Sequence, residues 1–147
     1  MQFRHILAPT DFSEYSKQAI ASALEWAKKF AAKLSILHVI ELPPYPVEGY
    51  VPPNLTATFL DDLERQAAAD LAQLVPEAEA TNVEVARVTA VGTPYHKIIE
   101  TAEAGQVDLI MMATAGRTGL SHLVMGSIAE RGVRTASCPV LTIRPRE

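Results

Sequence analysis

Cysteine is nearly absent: Cys138 is the one thiol in 147 residues. No internal disulfide can form, which fits a reducing compartment. A domain of this length buries roughly two thirds of its unfolded surface and needs no covalent or metal staple. Long apolar runs are missing too, and none approaches the roughly 18 residues of a membrane-spanning helix. The opening Met1-Gln2-Phe3-Arg4-His5 lacks the charged and apolar regions of a secretory leader, so a cytoplasmic chain is expected. Basic residues are outnumbered, 13 against 17 acidic ones. That balance argues against a general nucleic-acid surface, which needs a basic patch. Motifs for catalysis are also lacking. No glycine precedes a lysine, which excludes a Walker A loop, and no Gly-x-Gly-x-x-Gly occurs. There is no Gly-x-Ser-x-Gly elbow. His5, His38, His96 and His122 are scattered, with no Cys, Asp or Glu at metal-ligand spacing. A structural or surface role is expected for all four, although His122 sits in a glycine-bearing loop. Cys138 precedes Pro139 and an apolar run, so it is expected to pack as a small hydrophobe. No nucleophile, base and orienter come together, and the sequence does not support catalysis.

What the chain does have is regular alternation. Phe3 to Ala8 is an apolar run that Pro9 is expected to break. Ser13 can cap the helix that follows, through which Ala19, Ile20, Ala23, Leu24, Ala27 and Phe30 recur at helical spacing. Leu34 to Ile40 is a second strand-length run. Residues 42–55 hold Pro43, Pro44, Pro46, Gly49, Pro52 and Pro53, which argue against regular structure and mark a surface excursion. Leu60, Leu63, Ala67, Leu71 and Leu74 define a second helix. Val83, Val85 and Val88 mark a third strand. Thr93-Pro94 starts a third helix, which runs through Ile98, Ile99 and Ala102 to Gly105. Residues 107–112 form a fourth strand, Ser127 to Thr135 a fourth helix, and Val140 to Ile143 a fifth strand. Such alternation implies right-handed crossovers and a parallel sheet with helices on both faces, one α/β domain over residues 1–147. In open sheets of this kind, ligands bind beyond the carboxyl ends of strands where the strand order reverses. If the first and fourth strands are neighbours, Pro9-Thr10-Asp11 and the segment from Met112 rim one crevice.

That second segment is the most informative. A loop bearing Gly116 leaves the fourth strand and returns through Gly126-Ser127 at a helix start. The first turn of a helix leaves N–H groups unpaired and carries partial positive charge, and glycine lets backbone approach a ligand. Together they suit an anion, above all a phosphate. Charge is uneven in the same sense. Residues 114–134 set Arg117, Arg131 and Arg134 against Glu130, while residues 59–80 set six carboxylates against Arg65. A solvated loop with a glycine–serine helix cap gives the same pattern. Asp11 likewise reads two ways, as a turn carboxylate or as an acceptor for a ribose hydroxyl. Beside a polyphosphate it needs an intervening ribose or cation.

Four stretches together resemble the UspA-like universal stress protein family. They are Ile6 to Ser13, Leu37-His38-Val39-Ile40, Gly116 to Gly126-Ser127, and Ser137-Cys138-Pro139-Val140-Leu141. The resemblance implies a Rossmann-like, adenine nucleotide alpha-hydrolase-like sheet of strand order 3-2-1-4-5 that dimerises through its last strand, Val140 to Ile143. One branch of the family binds ATP through Gly, two residues, Gly, nine residues, Gly, then Ser or Thr. Here Ala113 replaces the first glycine, and Gly116, Gly126 and Ser127 are retained. The resemblance carries adenine and ribose contacts onto Pro9, Asp11, Val39 and Met112, and phosphate contacts onto Gly116, Gly126, Ser127 and Ile128. Thr10, Ala113 and Arg117 complete the candidate set. Mg or Mn on the phosphates is similarly implied. The expectation is a cytoplasmic homodimer in which ATP acts in stress sensing or regulation, with loop 114–125 moving about Gly116 and Gly119. Two alternatives stand beside it. Ala113 favours a Usp-fold interaction module that binds no nucleotide. A slow ATPase is the weaker alternative, for want of a base or water-positioning group.

Overall fold

The first strand runs through its proline rather than ending before it. In the computed structural model, which describes residues 2–42, 57–77, 79–117 and 125–144, strand β1 spans His5–Thr10. His5 offers its carbonyl to Asp108 N–H, so odd-numbered β1 residues turn their backbone groups toward the fourth strand. Pairing on that side is confined to Ile6 with Leu109 and Leu7 with Ile110. The donor that Pro9 lacks therefore falls where no ladder bond needs it.

Helix α1 is Glu14–Phe30, capped by Ser13, whose side chain accepts from Ser16 N–H, and closed by Ala31 in the left-handed region at φ 51°. Ser16, Ala19, Ile20, Ala23, Leu24 and Ala27 form its buried stripe. Strand β2 is Lys33–Ile40, and helix α2 is Ala57–Leu74. Apart from Leu42, the proline-rich stretch 42–55 lies outside the described residues. Strand β3 is Val85–Val91; Val83 precedes it, separated from α2 by a turn with Asn82 at φ 63°. Arg87 reaches back from β3 and donates to the carbonyls of Leu71 and Val75 at the end of α2, where helix carbonyls lack partners. Helix α3 is Pro94–Ala104, with Pro94 in its first turn after Thr93. Strand β4 is Leu109–Ala113, shorter at its start than residues 107–112 suggest, because Gln106 turns at φ 49° and the Asp108 carboxylate takes the N–H groups of Arg4 and His5. Helix α4 is Ser127–Thr135 and strand β5 is Val140–Ile143.

All five strands are parallel, in the order β3-β2-β1-β4-β5. Alternate residues feed two cores. Ile6, Ala8, Leu34, Ile36, Leu109 and Met111 pack with α1 and α2, whereas Leu7, Leu37, Ile110 and Met112 pack with α3 and α4. Each fully buried aliphatic side chain contributes roughly 1.5–3 kcal/mol relative to an exposed one. Burial on both faces explains the unbroken apolar strands. Among the described residues no helix is long and apolar enough to cross a membrane.

Candidate functional site

Between β1 and β4 the winding of the sheet reverses, and the carboxyl ends of both strands open onto a cavity of about 640 Å³. Pro9, Thr10, Asp11, Val39, Met112, Ala113, Gly116, Arg117, Gly126, Ser127 and Ile128 all line it. Its walls differ chemically. Leu37, Val39, Ile40, Ile98 and Met112 supply apolar lining, as do Leu63 and Ala67 of α2. The start of α4 supplies backbone amides. Gly126 occupies the cap position, and Glu130 N–H bonds back to its carbonyl at 2.9 Å. The N–H groups of Ser127, Ile128 and Ala129 precede that first intrahelical bond, so they carry the partial positive charge of the helix start.

Asp11 organises the mouth. One carboxylate oxygen accepts from Ser13 N–H at 3.0 Å and from the Ser13 hydroxyl at 2.5 Å. The other accepts from Arg117 N–H at 2.7 Å, while Arg117 Nε donates to the Asp11 carbonyl at 2.7 Å. A carboxylate offers about four lone-pair sites, so one acceptor position remains on the second oxygen. Burial pushes this carboxyl up, but hydrogen bonds from Ser13, Arg117 N–H and Ser16 outweigh it and hold it below its ordinary value. The same contact explains Gly116. A Cβ there would stand 2.7 Å from Asp11 Oδ2, so the carboxylate would have to shift from its bonds to Ser13 and Arg117. Gly126 is confined as well. Its N–H donates to the Thr114 carbonyl at 2.7 Å, and a Cβ would meet that oxygen at 3.2 Å.

Ala113 is the last residue of β4, paired with Ile143, and has no positive φ. Alanine in place of glycine therefore strains no backbone at this point. Of the four histidines, His5 bonds Ser35 Oγ and the Gly105 carbonyl, and His96 stacks on Tyr95. His122 and Gly119 lie outside the described residues. Cys138 packs against the α3–α4 core, and burial pushes its thiol up. Sequence reasoning missed His38 and Phe12 as lining residues. His38 lies at the carboxyl end of β2, which was the available signal. Phe12 could not be foreseen. It adopts φ 63°, an uncommon state for a bulky residue, held by its N–H donating to Thr10 Oγ1 at 3.0 Å. Among the described residues no three His, Cys, Asp or Glu side chains cluster as metal ligands do.

Strand order and the crevice at its reversal define a Rossmann-like α/β protein. The model of the universal stress protein family matches residues 2–144, and the chain belongs to that family. It is 33% identical over 145 residues to a universal stress protein of Methanocaldococcus jannaschii, covering 97% of this chain and 82% of that one. It is 32% identical to universal stress protein A homolog 1 of Coxiella burnetii, with both chains covered fully. The solved universal stress protein UspA of Lactobacillus plantarum superposes with a TM-score of 0.81 at 26% identity, over 98% of this chain and 99% of that one. Two more distant structures share the fold. One is a universal stress protein in complex with cAMP (TM-score 0.72, 20% identity, 97% and 98% covered). The other is an Archaeoglobus fulgidus protein in complex with dAMP (TM-score 0.65, 17% identity, 97% and 99% covered).

Proposed function

We propose that the cavity binds an adenine nucleotide, ATP in the first instance, and that the whole chain works as one nucleotide-responsive stress regulator in the cytoplasm. One observation carries this reading. A cavity with apolar walls ends at three helix-start amides and a glycine-backed carboxylate, which matches a heterocycle, a sugar and an anionic tail in sequence. The cAMP and dAMP complexes of the two distant family structures support the ligand class. Pro9, Val39 and Met112 would flank the base, Asp11 would accept from the ribose, and Gly116, Gly126, Ser127 and Ile128 would receive phosphate. Thr10, Ala113 and Arg117 would close the rim. Mg or Mn would enter on the phosphates and neutralise part of their charge beside Asp11.

Micromolar affinity requires about −8 kcal/mol. A contact at a helix start typically contributes ~0.3–1 kcal/mol and up to ~2 when partly buried, so three amides need the burial of the base as well. Calorimetric titration with MgATP should give a micromolar Kd; no heat at millimolar ATP would overturn the reading. ATP regulates only by favouring one state of the protein over another, since equal affinity shifts nothing. Ala113 has no positive φ, so its methyl brings no backbone strain to set against nucleotide binding, and the interaction module without nucleotide is the reading that the same titration separates.

The same reading includes a homodimer through β5. Val140–Ile143 lies at the edge of the sheet, and exposed edges pair or are covered. Sedimentation velocity should give a two-chain species at micromolar concentration, and a monomer there would contradict it.

A further inference from the structure

We propose that His38 selects the ligand by accepting a hydrogen bond from an O–H or N–H of its nucleoside half; this rests on the nucleotide reading above. His38 Nδ1 lies 2.8 Å from the Thr10 carbonyl oxygen, which can only accept. Nδ1 therefore carries the hydrogen, and in the neutral ring Nε2 is an acceptor. The ring is held in place from a second side. Phe12 packs on it with centroids 4.4 Å apart, and Phe12 keeps a left-handed backbone to do so. Strain of that kind persists where the surroundings fix a side chain for use. His38 lines the cavity, to which α2 contributes the apolar Leu63 and Ala67. Gln66 and Asp70 of the same helix are tied to each other at 3.0 Å. Tied to the Thr10 carbonyl and packed on Phe12, His38 thus holds its Nε2 lone pair in a fixed position on the cavity lining. A phosphate oxygen offers it no hydrogen, whereas a ribose hydroxyl or an exocyclic amine does.

The two sources are separable with analogues. ATP, ITP, 2′-deoxy-ATP and 3′-deoxy-ATP are titrated into the full chain and into two variants. His38→Asn keeps an N–H for the Thr10 carbonyl and removes the distal acceptor. His38→Phe keeps a ring against Phe12 and removes both nitrogens. The full chain should prefer ATP by roughly three- to tenfold over the analogue lacking the donor in use, as one hydrogen bond allows. In either folded variant that preference should fall to near one, because each ligand that keeps the donor binds more weakly while the analogue lacking it is unchanged. A purely structural role would weaken all four ligands equally and leave the ratio intact, which overturns the inference. So would a full chain that does not distinguish the four. Absence of all nucleotide binding would remove the functional reading and this inference together, whereas ATP binding with unchanged ratios removes only the role of His38.

Discussion

Replacing Gly126 with valine is expected to weaken ATP binding at least ~100-fold while the domain stays folded, a loss of about 2.8 kcal/mol. The backbone at Gly126 (φ −61°, ψ 148°) is one that valine adopts readily, so no strain arises there. The cost arises from contact. A Cβ would sit 3.2 Å from the Thr114 carbonyl oxygen, to which Gly126 N–H is already bonded at 2.7 Å. Relief of that contact lengthens the bond by a few tenths of an ångström, and valine adds two methyl groups beyond Cβ. Either the loop or the start of α4 must move, and the amides of Ser127, Ile128 and Ala129 move with it. Helix α4 spans nine residues and buries only Ala129 and Gly132, so the displacement should leave the β1–β2–β4 core intact. Calorimetry gives the affinity and circular dichroism the fold. Undiminished ATP affinity in the folded variant would remove the proposed phosphate seat.

Much of this architecture is legible in residue order because the central strands β1, β2 and β4 are buried on both faces and α1 buries one stripe. Ser127 to Thr135 and Val140 to Ile143 coincide with α4 and β5. Local rules fail where a distant partner decides. Pro9 reads as a strand breaker, but the bond it forgoes faces a stretch of β4 that does not pair with it. The start of β4 is delayed because the Asp108 side chain occupies the N–H groups of Arg4 and His5, over a hundred residues away in sequence. Strand order was not readable from periodicity at all; it came with the family resemblance. At the site, glycine spacing located the loop but gave an incomplete reason for it. Gly116 is needed less for conformational freedom than because a Cβ there would lie 2.7 Å from Asp11 Oδ2, a proximity between segments that one sequence does not reveal. His38 was passed over because a histidine in an apolar strand looks like core. Only its tie to the Thr10 carbonyl separates the bonded nitrogen from the free lone pair.

Asp11→Asn should lower stability by about 1–2 kcal/mol at pH 7 and weaken ATP binding roughly tenfold. Ser13 N–H, the Ser13 hydroxyl and Arg117 N–H all donate to this carboxylate. Hydrogen bonds to a charged acceptor contribute ~1.5–3 kcal/mol, and partial exposure of the group brings the total down. An asparagine of the same shape must turn an NH₂ toward at least one of those donors. The bond to Arg117 N–H is the link between the β1–α1 turn and the glycine loop, so its loss should reach the ligand mouth as well as the fold. The sign of the pH effect follows from the direction of the shift. The folded carboxyl lies below its ordinary value, because its hydrogen bonds outweigh the upward push of burial. Its contribution is complete above the unfolded value near ~4, and is lost as pH falls through the lower folded value. Urea unfolding of the two chains at several pH values should therefore show a constant stability gap between pH 5 and 7 that narrows below about pH 4. A gap of the same size at every pH would mean that charge on Asp11 does not hold the loop to the turn. The Arg117 contact would then be a consequence of the fold rather than one of its supports.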